Sequence, residues 1–306
     1  MPSSVELGKV QTLSLIAGSQ ACDARCDYCV SKMTPDEGIA QKPEEIDFGR
    51  FEEAFRYAKE GQTETTMITG KGEPVLFPDH ITEYLNHLLR LEKKSGYQIH
   101  EKELQTNGIR IAEGAVDNLL NIWRAANLQT IAVSIVHYDP KVNREIFVPY
   151  REKYIDLPAL IKKLHEADFS VRLACILIKG GIDNARRLDG LIRFAKEHEV
   201  EQLTIRSVNR PSETRNPEIA KWVDEHKLDK GQLEDINMYL RENGTVVKTF
   251  PFGGTIYAIF NIRHQNVCST TSLTKDRNPK NYLRQLIFYP GGRIATDWTE
   301  KGKGLK

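Results

Sequence analysis

The chain has 306 residues, 40% of them hydrophobic, with 43 Lys and Arg against 42 Asp and Glu. That length allows one large domain or two modest ones, and the balanced charge supplies no global basic field for nucleic acid. No apolar run is long enough to span a membrane and the start MPSSVELGKV lacks a signal-peptide core, so a cytoplasmic protein without a membrane partner is expected.

Strand and helix patterns alternate along the chain. QTLSLIAG (11–18) reads as a first strand that ends at SQACDARCDYCVSK. Residues 31–47 contain Pro35, Gly38 and Pro43 and read as loop. FGRFEEAFRYAKE (48–60) has helical apolar spacing at Phe48, Phe51, Phe55 and Ala58. TETTMITG (63–70) is the second strand, followed by the turn KGEPVLFP and a helix over 79–95. A third strand and turn (99–108), a helix (112–126) and a fourth strand (128–135) continue the pattern. His137-Tyr138-Asp139 and Asn143-Arg144 then read as a loop, solvated or able to touch a substrate. A helix over 156–167, a strand over 169–179, a helix over 184–200 and a sixth strand over 201–208 follow. This alternation indicates a parallel sheet with covering helices, as an incomplete barrel or an open α/β sheet. After NRPSETRNP (209–217) the rhythm changes to one helix over 217–242 and then mostly β segments. There PGG at 290–292 joins two of them as a hairpin. The chain thus divides at residue 211 into a core and a C-terminal helix plus β-rich segment expected to cap it.

Five cysteines are present, an odd number that suits a reducing compartment rather than a disulfide framework. Cys22, Cys26 and Cys29 stand together as C-x3-C-x2-C. Three thiolates this close can share one metal centre. A closed zinc site takes four ligands, whereas a [4Fe–4S] cluster held by three leaves one iron open to a cofactor. A zinc site or three unrelated thiols is the plainer alternative. Cys175 and Cys268 remain, too few for a second triplet. Cys268 could ligate metal or donate a hydrogen atom, though a buried apolar role is commoner for a free cysteine. His264 lies on a predicted strand nearby.

The stretch CDARCDYC resembles the cysteine loop of radical S-adenosylmethionine (AdoMet) enzymes, with Tyr28 as its aromatic residue. The resemblance implies a partial (β/α)6 TIM barrel, one site-differentiated [4Fe–4S] cluster, and AdoMet bound to it through its amino and carboxylate groups. It also implies reductive AdoMet cleavage to a 5′-deoxyadenosyl radical that abstracts hydrogen from a substrate. A low-potential electron donor such as flavodoxin or ferredoxin is implied as a partner. Gly70-Lys71-Gly72-Glu73-Pro74 resembles the family's GGE motif with Lys71 inserted, and there Glu73 is placed to accept from the AdoMet ammonium. Asn107 before Gly108, and Ser134 at the fourth strand's end, stand where similar enzymes reach the AdoMet ribose or carboxylate. Asn107 is also readable as only a turn residue. Arg172 could pair with the AdoMet carboxylate or face outward on alternate strand spacing. The Ile205–Pro211 stretch, with Val208, resembles the strand that packs on adenine.

Arg206 and Arg210, with Asn209, suit an anionic substrate held between the barrel mouth and the C-terminal segment. The C-terminal β pattern is similar to that of the GTP 3′,8-cyclase branch, but the cysteines for that branch's second cluster are missing, since Ala295-Thr296 stands where one belongs. A single-cluster relative is therefore expected. Its substrate would be a small molecule, nucleotide- or sugar-like, or a peptide, and its subclass oxidoreductase, lyase or transferase. The other function class is a non-catalytic [4Fe–4S] sensor or accessory protein that retains the fold.

Overall fold

The computed structural model describes residues 8–34, 42–211, 214–259, 266–269 and 281–298. The six expected core strands are β1 (Lys9–Ile16), β2 (Thr65–Thr69), β3 (Glu101–Thr106), β4 (Thr130–Ile135), β5 (Ser170–Leu177) and β6 (Gln202–Ser207). They lie side by side in sequence order, all parallel. Later strands are β7 (Gly244–Thr249), β8 (Thr255–Ile259), β9 (Asn266–Ser269), β10 (Tyr282–Phe288) and β11 (Ile294–Ala295). They join the same sheet in the order β11-β10-β1-β2-β3-β4-β5-β6-β9-β8-β7. The C-terminal segment thus extends both edges, with β10 parallel to β1 and β9 parallel to β6. No pairing closes β11 onto β7 among the described residues, so the sheet is an open, partial barrel.

The covering helices are α1 (Val30–Met33), α2 (Phe48–Glu60), α3 (Pro78–Ser95), α4 (Ile109–Ala112), α5 (Asp117–Ala125), α6 (Pro140–Phe147), α7 (Leu157–Glu166), α8 (Ala185–Glu197), α9 (Pro217–His226) and α10 (Lys230–Asn243). Three differ from the sequence reading. The helix expected over 112–126 is split into α4 and α5, because Gly114 turns left-handed at φ +79. The helix expected over 217–242 is α9 and α10, because Asp229 and Gln232 close a capping box that starts a new helix. The loop expected after β4 contains α6. Asp139 caps it by accepting from Lys141 N at 2.8 Å, and Asn143 is one of the helix's buried residues. No described helix is long and apolar enough to cross a membrane.

Side chains alternate between two environments. On β5, Val171, Leu173, Cys175 and Leu177 are buried against the helices, whereas Ser170, Arg172, Ala174 and Ile176 are half-buried on the inner face. Cys175 is therefore an ordinary core residue, and burial raises its thiol pKa. Beneath β3 the outer layer holds a charge pair. Lys102 is 1% exposed and its ammonium lies 2.8 Å from Glu92, which also accepts from Ile99 N at 3.0 Å. The inner face carries a polar floor. Glu103 on β3 pairs with Arg172 on β5, reaching across β4 above the small side chain of Ala132. Arg172 Nε also donates to Gln202 at 2.8 Å, and Gln105 donates to Glu103 at 3.2 Å.

Candidate active site

The C-terminal ends of β1, β2 and β3 deliver three turns to one place, the usual location of chemistry in a parallel barrel. The first turn carries the cysteines. It leaves β1 through Gly18 (φ +75), whose N–H donates to His80 Nδ1 at 3.1 Å. Burial lowers the His80 pKa, which keeps that nitrogen an acceptor. The second turn lies against the first. Glu73 N donates to Ala21 O at 2.9 Å, and a Cβ added at Gly72 would overlap that same carbonyl. Gly72 is needed because no side chain fits between the two backbones. The inserted Lys71 is buried and donates to Thr34 at 2.8 Å, just beyond α1. The third turn is Thr106-Asn107-Gly108, with Gly108 at φ +79.

Glu73 ties the second turn to the third. Its carboxylate accepts from Val75 N at 3.0 Å, Thr106 Oγ1 at 2.6 Å and Asn107 N at 2.8 Å. Burial pushes its pKa up to about 7, against the pull of those three hydrogen bonds. Asn107 ties the third turn to the first. Its Oδ1 accepts from Ile109 N at 2.9 Å, and its Nδ2 donates to Asp23 at 2.7 Å and lies 3.9 Å from Cys22 Sγ. Asn107 therefore caps its own turn, and its side chain also faces the cysteine loop. Asp23, within the cysteine motif, is also held by Arg110 Nε at 3.1 Å. Sequence reasoning passed over Asp23, Arg110 and His80, since nothing but spatial neighbours gives them a role.

Around the loop, Arg25 N donates to Phe147 O at 2.8 Å at the end of α6. Tyr28 packs edge-on to Phe147 at 6.1 Å and against Trp222 of α9 at 6.5 Å. Helix α9 also packs on α1. Among the described residues, the C-terminal segment meets the cysteine loop through helix α9.

Cys22 is exposed, and Cys26 and Cys29 are partly buried. Among the described residues no three metal-ligating side chains are gathered at ligand distance. The donor set nevertheless fits an iron–sulfur cluster. Burial raises the Cys26 thiol pKa, and the nearby Cys29 and Cys22 add to the rise. A cationic centre beside that thiol would offset the cost of burying its charge and favour the thiolate.

The remaining predicted residues are spread over the inner face and the rim. Ser134 is half-buried on the inner face of β4, in register with Ala174. Cys268 on β9 pairs in register with Thr204 on that face. Burial raises its thiol pKa, against the lowering effect of Arg172, Arg206 and Arg284. Arg206 is exposed beside it. Val208 is buried just past β6, its N–H donating to Leu177 O at 3.3 Å. Two arginines stand apart from the strand-end turns. Arg172 lies near the start of β5, in the floor with Glu103, and Arg210 forms a 2.7 Å pair with Asp224 on α9. Of the loop residues after β4, Asn143 accepts from Val136 N at 2.9 Å and fixes the backbone there. His264 lies outside the described residues.

A partial α/β barrel with a thiol-bearing loop docked on two glycine turns at its strand ends defines a class of cofactor-dependent enzymes. The chain belongs to the Radical SAM superfamily, whose family model matches residues 16–195. Among solved structures it is similar to SuiB of Streptococcus suis bound to S-adenosylmethionine, with a TM-score of 0.60 and 15% identity. The likeness covers 98% of this chain and 63% of that one. It is also similar to anSMEcpe with bound AdoMet, with a TM-score of 0.51 and 16% identity over 76% of this chain and 60% of that one. Methylornithine synthase (PylB) is similar with a TM-score of 0.50 and 11% identity over 76% of this chain and 62% of that one. The chain spans less than two thirds of the length of each of these. No curated protein matches it.

Proposed function

We propose that this radical SAM enzyme holds one [4Fe–4S] cluster on Cys22, Cys26 and Cys29 and binds AdoMet against the Gly70–Glu73 turn. The observation that carries the reading is the docking of the cysteine loop on that turn, through Glu73 N to Ala21 O at 2.9 Å. When bound, the cluster and AdoMet supply a 5′-deoxyadenosyl radical for hydrogen abstraction. The chain's own residues bind and orient. Glu73 offers a buried carboxylate to the AdoMet ammonium, and Tyr28 and Val208 supply apolar surface beside it. Ser134, Arg206 and Cys268 line the inner face where substrate would lie. A low-potential protein such as flavodoxin or ferredoxin would serve as electron donor. The substrate is a peptide or a polar small molecule. SuiB bound to precursor peptide SuiA supports the former, and the likeness to methylornithine synthase supports the latter.

The test is anaerobic reconstitution followed by reduction with AdoMet present. The wild type should become brown, carry about four iron and four sulfide per chain, and release 5′-deoxyadenosine. The Cys22→Ala, Cys26→Ala, Cys29→Ala variant should do none of these. A brown wild type that releases no 5′-deoxyadenosine would instead make the chain a cluster-binding sensor or accessory protein.

A further inference from the structure

Asn107 sits at the join of all three strand-end turns, and nearly all of its polar capacity is committed. Its N–H is taken by Glu73 at 2.8 Å and its Oδ1 by Ile109 N at 2.9 Å. One hydrogen of its Nδ2 goes to Asp23 at 2.7 Å, and Asp23 is fixed in turn by Arg110 at 3.1 Å. A primary amide has two N–H donors in one plane. Once the first is pinned on Asp23 and the oxygen on Ile109, the direction of the second is set by covalent geometry. Cys22 Sγ lies 3.9 Å from the same nitrogen, within reach of that second N–H. Asn107 is only 6% exposed, so its amide is held by protein groups rather than by water.

We infer that Asn107 is a positioning residue that donates an N–H···S hydrogen bond to Cys22 and thereby tunes the reduction potential of the cluster. The inference rests on the reading that Cys22 is a cluster ligand. A hydrogen bond to a ligand sulfur draws electron density from the cluster. It stabilises the reduced form, which carries more negative charge, over the oxidised one. Loss of the donor therefore makes the cluster harder to reduce. Arg110 and Asp23 act through Asn107 by holding its amide plane. Asn107 does not touch the reacting atoms in this assignment. Its amide is spent on the cysteine loop and is unavailable to the AdoMet ribose or carboxylate.

The test is an EPR-monitored redox titration of reconstituted protein without AdoMet, comparing wild type with Asn107→Ser. Serine retains a side-chain oxygen that can cap Ile109 N but has no donor long enough to reach Cys22. At equal iron and sulfide per chain, the variant's midpoint should lie at a more negative potential than that of the wild type. An unchanged midpoint at equal cluster content would overturn the inference and leave the cluster assignment standing. A wild type that takes up no iron or sulfide would overturn both. The second measurement uses the wild type alone, so it does not depend on the variant folding. Protein grown with 15N-asparagine and reduced without AdoMet should show a 15N coupling to the cluster in pulsed EPR, and a spectrum identical to that of unlabelled protein would overturn the inference.

Discussion

Replacing Gly72 by alanine tests whether the second turn really seats the cysteine loop. The new Cβ would overlap Ala21 O and stand 2.7 Å from Gln20 C and 2.8 Å from Ala21 C, all well inside the 3.4 Å at which ordinary contact begins. All three are backbone atoms, so no rotamer change relieves the clash. The two turns must separate, and the Glu73 N to Ala21 O bond goes with them. Overpacking of this kind costs about 1–3 kcal/mol and the lost hydrogen bond about 1 kcal/mol more. A loss of roughly 2–4 kcal/mol is therefore expected in urea unfolding of the cluster-free chain. Because Ala21 precedes Cys22, the reconstituted variant should also hold less iron than wild type. Gly70→Ala is the control. Its Cβ would lie 3.2 Å from Ala17 O and 3.3 Å from both Gly72 O and Pro74 Cγ, a strain that shifts of a few tenths of an ångström absorb. If Gly72→Ala matched Gly70→Ala in stability and iron content, the seating of one turn on the other would be refuted.

Glu73→Gln should change how stability depends on pH. The Glu73 carboxyl is raised to about 7 in the fold, so the native state holds its proton more tightly than the unfolded chain does. That contribution is present in full below the ordinary carboxylate pKa and is lost as pH rises through about 7. From about pH 5 to about pH 8 the cluster-free wild type should therefore lose roughly 2.5 kcal/mol relative to Glu73→Gln, and parallel urea-unfolding curves would contradict this. Lys102→Met strands the Glu92 carboxylate in the core and should cost about 3–5 kcal/mol. The double variant Lys102→Met, Glu92→Gln keeps an acceptor for Ile99 N and should recover most of that loss, as read from thermal and urea midpoints. Arg210 is paired with Asp224 at the surface, so Arg210→Ala should change stability by less than about 1 kcal/mol and leave substrate turnover intact. Arg206→Ala should lower turnover while sparing uncoupled AdoMet cleavage, and equal turnover in both variants would remove Arg206 from the substrate face.

What the sequence made legible was local. The cysteine loop, the GKGEP turn and the TNG turn each occupy a few consecutive residues, and the alternation of strand and helix follows from short-range periodicity. Two misjudged helix breaks were also legible: Gly114 and the Asp229–Gln232 box are both visible as text. The illegible parts depend on register and tertiary contact. Arg172 pairs with Glu103 because its long side chain spans β4 beside the small Ala132, and no spacing along the chain encodes that reach. Arg210 is claimed by a helix that was itself misplaced in the sequence reading. The parallel pairing of β10 with β1 joins Leu13 to Leu286, a contact between opposite ends of the chain.

The same distinction governs how the motif residues divide their work. Glu73 and Asn107 both read from sequence as ligand-binding groups, yet in the fold their polar atoms serve mainly to hold the three turns together. A carboxylate has about four lone-pair directions. Glu73 Oε1 receives Val75 N and Thr106 Oγ1, whereas Oε2 receives Asn107 N. That leaves Oε2 with room for one further donor. An ammonium arriving there would meet a carboxyl whose pKa burial has raised to about 7, and a positive charge would return it to its ionised form. The burial that makes Glu73 costly in the cluster-free chain is thus what would make its pairing with a cation strong. The cofactor and the three turns would stabilise one another.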